Sequence, residues 1–190
     1  MMSMRADAAR NRARVLEVAY EAFAQDGLAV PIDEIARRAG VGAGTVYRHF
    51  PSKEDLYRAV VAERIREIVD QGQALLADGD PGEALFDYLR LMVLQCGAAD
   101  RGLVEALAGA GIDVKTMVPD AEDEYMEMLG GLLRAAQRAG TVRGDVTATD
   151  VKALLVGCQA MQAYDATAAE HLTGVVFDGL RVAPASVPSR

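Results

Sequence analysis

Apolar residues recur along this chain at intervals of three and four, and no stretch alternates apolar and polar positions over a strand's length. That period belongs to amphipathic helices, so the chain reads as all-α. The first helix is expected over residues 9–25, where Val15, Leu16, Ala19, Ala22 and Phe23 share one face and Gly27 supplies a left-handed stop. A second, short helix starts at Pro31, turns Ile32, Ile35 and Ala36 inward and ends at Gly40. A third covers 43–50 before Pro51 stops it. Two short helices joined by a turn of about four residues containing glycine have the form of a helix-turn-helix. Ser52 and Asp55 are spaced to cap a fourth helix, and Leu56, Val60, Ile65, Ile68, Leu75 and Leu76 carry it past residue 70. The run Asp78-Gly-Asp-Pro-Gly82 then breaks the chain. Further helices are expected over 83–96, 101–110, 120–139, 149–163 and 167–182.

Composition narrows the picture. With 51% hydrophobic residues in 190, the chain buries a sizeable core. The two cysteines, Cys96 and Cys158, are too few for a disulfide framework or a metal cluster, which fits a reducing cytoplasm. No apolar run approaches the roughly 20 residues needed to cross a bilayer, so no membrane partner is expected. The two histidines, His49 and His171, belong to no H-E-x-x-H pattern, and there is no G-x-S-x-G. Neither catalysis nor a cofactor or metal is indicated. Net charge is −8, which opposes nucleic-acid binding until its distribution is considered. Residues 1–66 hold 11 Lys and Arg against 9 Asp and Glu, whereas 67–190 hold 9 against 19. Any DNA-binding face must therefore lie in the first third; charge alone equally describes solvated helix surfaces, and the motifs must decide.

The segment Ile35-Ala-Arg-Arg-Ala-Gly-Val-Gly-Ala-Gly-Thr-Val-Tyr-Arg-His-Phe-Pro-Ser-Lys53, with Leu56 after it, carries the chemistry. A helix entering the major groove needs small residues where it meets the groove floor, and Ala43 and Gly44 provide them. Thr45, Tyr47 and His49 offer polar tips to phosphate oxygens, and Lys53 adds a point charge. Arg48 is the long donor able to bond guanine O6 and N7 together, which makes it the specificity candidate. The glycines of 40–44 do not form a nucleotide-binding loop, since they follow a helix and lack the G-x-G-x-x-G spacing.

At Ile35, Ala36, Ala39, Gly40, Val41, Gly44, Val46, Tyr47, His49, Phe50, Lys53 and Leu56 the segment resembles the TetR family of one-component regulators. The resemblance covers about the first sixty residues. It implies an N-terminal three-helix helix-turn-helix DNA-binding domain, assigned to 1–55, and a C-terminal helical ligand-binding and dimerisation domain, assigned to 56–190. Two departures stand out. Many family members carry a hydroxyl residue where this chain has Val30 and Gly42; glycine is a tolerated N-cap, so the fold is expected to survive with fewer phosphate contacts. Arg5, Arg10, Arg12 and Arg14 form a basic arm that either replaces those contacts or is an ordinary solvated face.

The resemblance further implies a homodimer built from the last two helices. Val151, Leu154, Leu155 and Cys158 form one candidate stripe, and Leu172, Val175, Val176 and Gly179 the other. Candidate pocket residues are Tyr88, Met92, Gln95 and Cys96 on one helix and Tyr125 and Met128 on another, with plain core filling as the competing reading. With no Trp and 4 Phe the walls are largely aliphatic, which suits an apolar or amphipathic effector. The expected partners are double-stranded operator DNA, an unknown small molecule and a second copy of the chain. A dimeric DNA-binding regulator without an effector is the alternative.

Overall fold

The structure, a computed structural model, describes residues 2–94 and 97–182. Among them are ten helices: α1 (Met2–Asp26), α2 (Ile32–Ala39), α3 (Ala43–His49), α4 (Lys53–Asp78), α5 (Ala84–Leu94), α6 (Gly97–Gly109), α7 (Val114–Met117), α8 (Pro119–Ala139), α9 (Ala148–Tyr164) and α10 (Ala166–Leu180). The all-α reading holds, and a lone antiparallel bridge between Val142 and Arg181 is the one extended pairing among the described residues. Boundaries moved where periodicity carries no signal. α1 begins well before residue 9, because its first turns have no apolar stripe and rest on the helix propensity of Ala, Arg and Met. α7, a single turn capped by Asp113 through the Lys115 N–H at 3.0 Å, is too short to show a period.

The chain divides into two compact units. The first contains α1 to α3, α4 through Glu67, and Ala98–Glu122. Its core is made by Val15, Leu16, Phe23, Ile35, Val46, Phe50, Leu56 and Val60, joined by Leu103 and Leu107 of α6 and by Val118. Burying each such side chain contributes about 1.5–3 kcal/mol. Tyr57 packs edge-on against Phe23, ring centroids 4.9 Å apart, and its hydroxyl donates to the Leu28 carbonyl at 2.9 Å. α6 is fastened by polar contacts as well. The Asp100 carboxylate accepts from the Tyr20 hydroxyl at 2.6 Å and from Arg64 Nε and Nη2 at 2.6 and 2.8 Å. Close by, a Cβ on Gly102 would collide with the Ala24 carbonyl, so only glycine lets α6 approach α1 this closely.

The second unit contains Ile68 onward in α4, α5, and the chain from Asp123. α5 is nearly engulfed, with Leu85, Phe86, Tyr88, Leu89, Met92 and Val93 all buried. The Phe86 and Phe177 rings lie 6.0 Å apart, and Arg181 lies over Phe86 at 4.0 Å while making two 2.9 Å hydrogen bonds to the Glu83 carboxylate. Gln159 Nε2 donates to the Met92 carbonyl at 3.3 Å, tying α9 to α5. α9 opens with a reciprocal capping box between Thr147 and Asp150.

Candidate nucleic-acid interface

The turn between α2 and α3 is closed by backbone bonds. Gly40 has φ 69°, in the left-handed region that favours glycine, and the Gly40 and Val41 N–H groups return to the Arg37 and Ala36 carbonyls at 3.2 and 3.0 Å. This is a Schellman motif, and it fixes where α3 starts. α3 opens at Gly42, whose carbonyl accepts the Thr45 N–H at 2.8 Å, with no capping side chain. Neither α2, which opens at Pro31, nor α3 has a side-chain cap, and Val30 is buried as core.

Burial sorts α3 into two faces. Val46 and Phe50 point inward and are 0% and 3% exposed, as the sequence pattern implied. Gly44, Tyr47 and Arg48 are exposed, and Ala43, Thr45 and His49 are half-buried. Gly44 is informative because nothing in the fold requires glycine there. Its φ is not left-handed, and an added Cβ would meet nothing within 4 Å. The position therefore leaves open space beside the exposed face of α3. Lys53 stands half-buried at the start of α4, its ammonium 6.0 Å from the Tyr57 ring centroid, and burial pushes its pKa below the usual lysine range.

Ion pairing separates the cations of this region into two groups. Arg10, Arg37, Arg38, Arg58, Arg64 and Arg66 each have a carboxylate partner. Glu34, held between Arg37 and Arg38, has its pKa drawn down to about 2 by their hydrogen bonds. Arg12, Arg14, Arg48 and Lys53 have no carboxylate within salt-bridge distance among the described residues. The unpaired set includes both cations assigned to DNA from sequence.

The other sequence-assigned residues are placed differently. Tyr88, Met92 and Met128 are 0%, 3% and 4% exposed and fill the core of the second unit. Met128 packs directly on Gly72, where a Cβ would overlap its thioether. Tyr125 is half-buried beneath the Lys152 ammonium, 5.3 Å from its ring centroid. Gln95 and Cys96 lie outside the described residues. Two clefts are found elsewhere. One of about 400 Å³ runs along α1 and α4 and is lined by Tyr20, Glu21, Glu63, Arg64 and Glu67. One of about 230 Å³ lies beside α10 and is lined by Arg90, Thr173, Phe177 and Arg181. Neither is lined by the candidates chosen from sequence, of which Tyr88, Met92 and Met128 pack as core side chains.

On α9, Val151, Leu155 and Cys158 face inward at 0%, 5% and 1% exposed, so they belong to the core of the single chain rather than to an outer surface. Burial also pushes the Cys158 thiol up. Leu154, Leu172, Val175 and Gly179 are exposed and Val176 is half-buried. Sequence reasoning missed Val156 and Tyr164, which are 56% and 94% exposed. The signal was present in part: apart from the face that holds Lys152 and Gln159, α9 is apolar over most of its circumference. No group of acids, histidines and cysteines suited to a metal occurs among the described residues, and no described helix is long and apolar enough to cross a membrane.

Comparison with known proteins adds to this geometry. Residues 15–60 match the family described as bacterial regulatory proteins, tetR family, and residues 80–182 match the transcriptional regulator SbtR-like C-terminal domain. The crystal structure of a TetR transcription regulatory protein from Mycobacterium vanbaalenii is 57% identical, with a TM-score of 0.79, covering 94% of this chain and 99% of that one. The uncharacterized HTH-type transcriptional regulator Rv2250c of Mycobacterium tuberculosis is 28% identical over 87% of each chain. The HTH-type transcriptional regulator SAB2452 of Staphylococcus aureus is 36% identical, but the match spans only 40% of this chain and 41% of that protein.

Proposed function

This chain belongs to the TetR family of transcriptional regulators, and from that premise we propose that it is a dimeric repressor released from its operator by a small molecule. Its helix-turn-helix binds DNA, and its role is regulation rather than catalysis. In this reading residues 1–55 read DNA and 56–190 sense the effector and dimerise in the cytoplasm. The carrying observation is the outer face of α3, where Arg48 is exposed without an acid partner next to a glycine the fold does not require. Ala43 and Gly44 admit the helix to the major groove. Thr45, Tyr47, His49 and Lys53 hold phosphates, and Arg48 reads a guanine. A phosphate beside Lys53 would offset the burial that disfavours its charge. The dimer forms through the outward apolar faces of α9 and α10, since exposed apolar surface on two consecutive helices is costly to leave in water.

An apolar or amphipathic effector fits the aliphatic composition of the second unit. The tight packing of Tyr88, Met92 and Met128 supports a second reading, a DNA-binding dimer with no effector. Sequencing the fragments that the purified protein retains from its own genome tests the main proposal. A shared sequence with two half-sites about 10 bp apart, or a multiple of that, is expected. Random fragments would overturn it. A thermal-shift screen of apolar small molecules separates the two readings, because a ligand that binds only the folded chain raises its melting temperature.

A further inference from the structure

We propose that the N-terminal extension of α1 is a second DNA contact, in which Arg12 donates to a phosphate next to the groove that α3 enters. The inference rests on DNA reading by α3. All residues from Ala6 to Arg14 are exposed, and the first buried position of α1 is Val15. About two and a half turns of helix therefore extend with no core to pack on, and a helical stretch that is polar all round is marginal without a partner. The inward stripe of α1 runs through Val15, Leu16, Ala19 and Phe23. Three and four residues back, the same stripe arrives at Arg12. The face that packs protein for three turns thus becomes cationic where the protein ends.

Arg12 is also held in place. Its guanidinium lies 5.6 Å from the centroid of Phe50, the residue that closes α3, and the His49 ring is 6.2 Å from the same ring. Arg12 therefore sits at the end of α3 that carries His49. No carboxylate pairs with it among the described residues, whereas its neighbour Arg10 is paired with Asp7. A guanidinium resting on an aromatic face keeps its N–H donors open at its edge, which suits a phosphate oxygen. Arg14 is two residues on, about 200° around the helix, and points away from this stripe. The partner is the sugar-phosphate backbone rather than a base, so the contact adds affinity without changing the preferred sequence.

The test uses the full chain and two duplexes, a fragment retained by the wild-type protein and an unrelated sequence of the same length. Binding is measured across a salt series for wild type, Arg12→Gln, Arg12→Lys, Arg14→Gln and Arg66→Gln. Arg12→Gln is expected to reduce the slope of log affinity against log salt by about 0.9 per protomer on both duplexes. Arg12→Lys should retain the wild-type slope, since a point charge suffices for a phosphate. Arg14→Gln and the paired Arg66→Gln should leave it nearly unchanged. An unaltered slope in Arg12→Gln overturns the assignment. So does an equal fall in Arg14→Gln, which would mean a diffuse field, or a changed preferred sequence in Arg12→Gln, which would mean a base contact. Wild-type protein that binds neither duplex would remove the reading of α3 itself, an outcome distinct from failure at Arg12 alone.

Discussion

Tyr47 and Arg48 leave α3 side by side, both exposed, and the proposed interface gives them different roles. A phenol reaches a phosphate oxygen that is alike at every base pair, whereas a guanidinium fork matches the two acceptors of guanine. Arg48→Ala should relax preference at one base pair in each half-site, at a cost of about 1–3 kcal/mol. Tyr47→Phe and Lys53→Ala should weaken binding to all sequences alike. Selection of binding sites from a random pool decides between these patterns, and an unchanged selected sequence for a folded Arg48→Ala protein contradicts the assignment. The helix-turn-helix that carries these residues was legible in the sequence because its glycine stops and inward apolar positions fall at fixed spacing. Val151, Leu155 and Cys158, expected at a dimer interface, are instead buried within the single chain, because a period of 3.6 locates an apolar stripe without saying what covers it.

At the scale of elements, the outer and inner faces of α9 and α10 make opposite predictions. Glutamate at Leu154 and Val175, which are 38% and 55% exposed, should give a folded monomer in sedimentation at micromolar concentration. Glutamate at Leu155, 5% exposed, should instead destabilise the chain by burying an unpaired charge. A native protein that sediments as a monomer would refute the proposed interface. The second element-scale feature is the fastening of α6. The side chains of Arg64 and Asp100 are 19% and 17% exposed, so their pairing is only partly screened. Asp100→Asn should cost about 1.5–3 kcal/mol by removing charge-assisted bonds to Arg64, read as a lower denaturation midpoint with an unchanged slope. The helices α1 to α4 were foreseen because caps and glycine stops bound them. The membership of α6 in the first unit was not, since no local pattern reports which distant helix an apolar stripe meets.

For the molecule as a whole, charge taken from sequence thirds gives a different picture from charge taken from the folded units. Residues 1–66 are net positive, but the compact unit of 1–67 with 98–122 holds 13 Lys and Arg against 15 Asp and Glu, a net of −2. Asp100 and Glu105 of α6, Asp113 before α7, and Asp120 and Glu122 at the start of α8 bring most of the extra acids. DNA recognition cannot then rest on the overall sign of this unit, and depends on local placement of the cations left without acid partners. Coupling between sites is the other whole-molecule property. If an effector loosens DNA binding tenfold, about 1.4 kcal/mol of coupling is involved, and bound operator must weaken effector binding by the same factor. Titrating an identified effector with and without the retained fragment checks this, and equal affinities in both would leave a DNA-binding protein without an allosteric sensor.

Leu103, Leu107 and Val118 share a core with Phe23 and Phe50, and this bears on how the protein is born. At about 5–20 residues per second, the ribosome needs about 3–11 s to pass from Val61 to Val118. Throughout that interval the nascent chain has its whole helix-turn-helix and lacks the side chains that close the core behind it. Such long-range closure is slow to nucleate, and the exposed Phe23 and Leu56 are the kind of surface chaperones bind. The newly made regulator therefore passes through a stage in which its helix-turn-helix is synthesised but its core is not yet closed, and DNA binding lags translation.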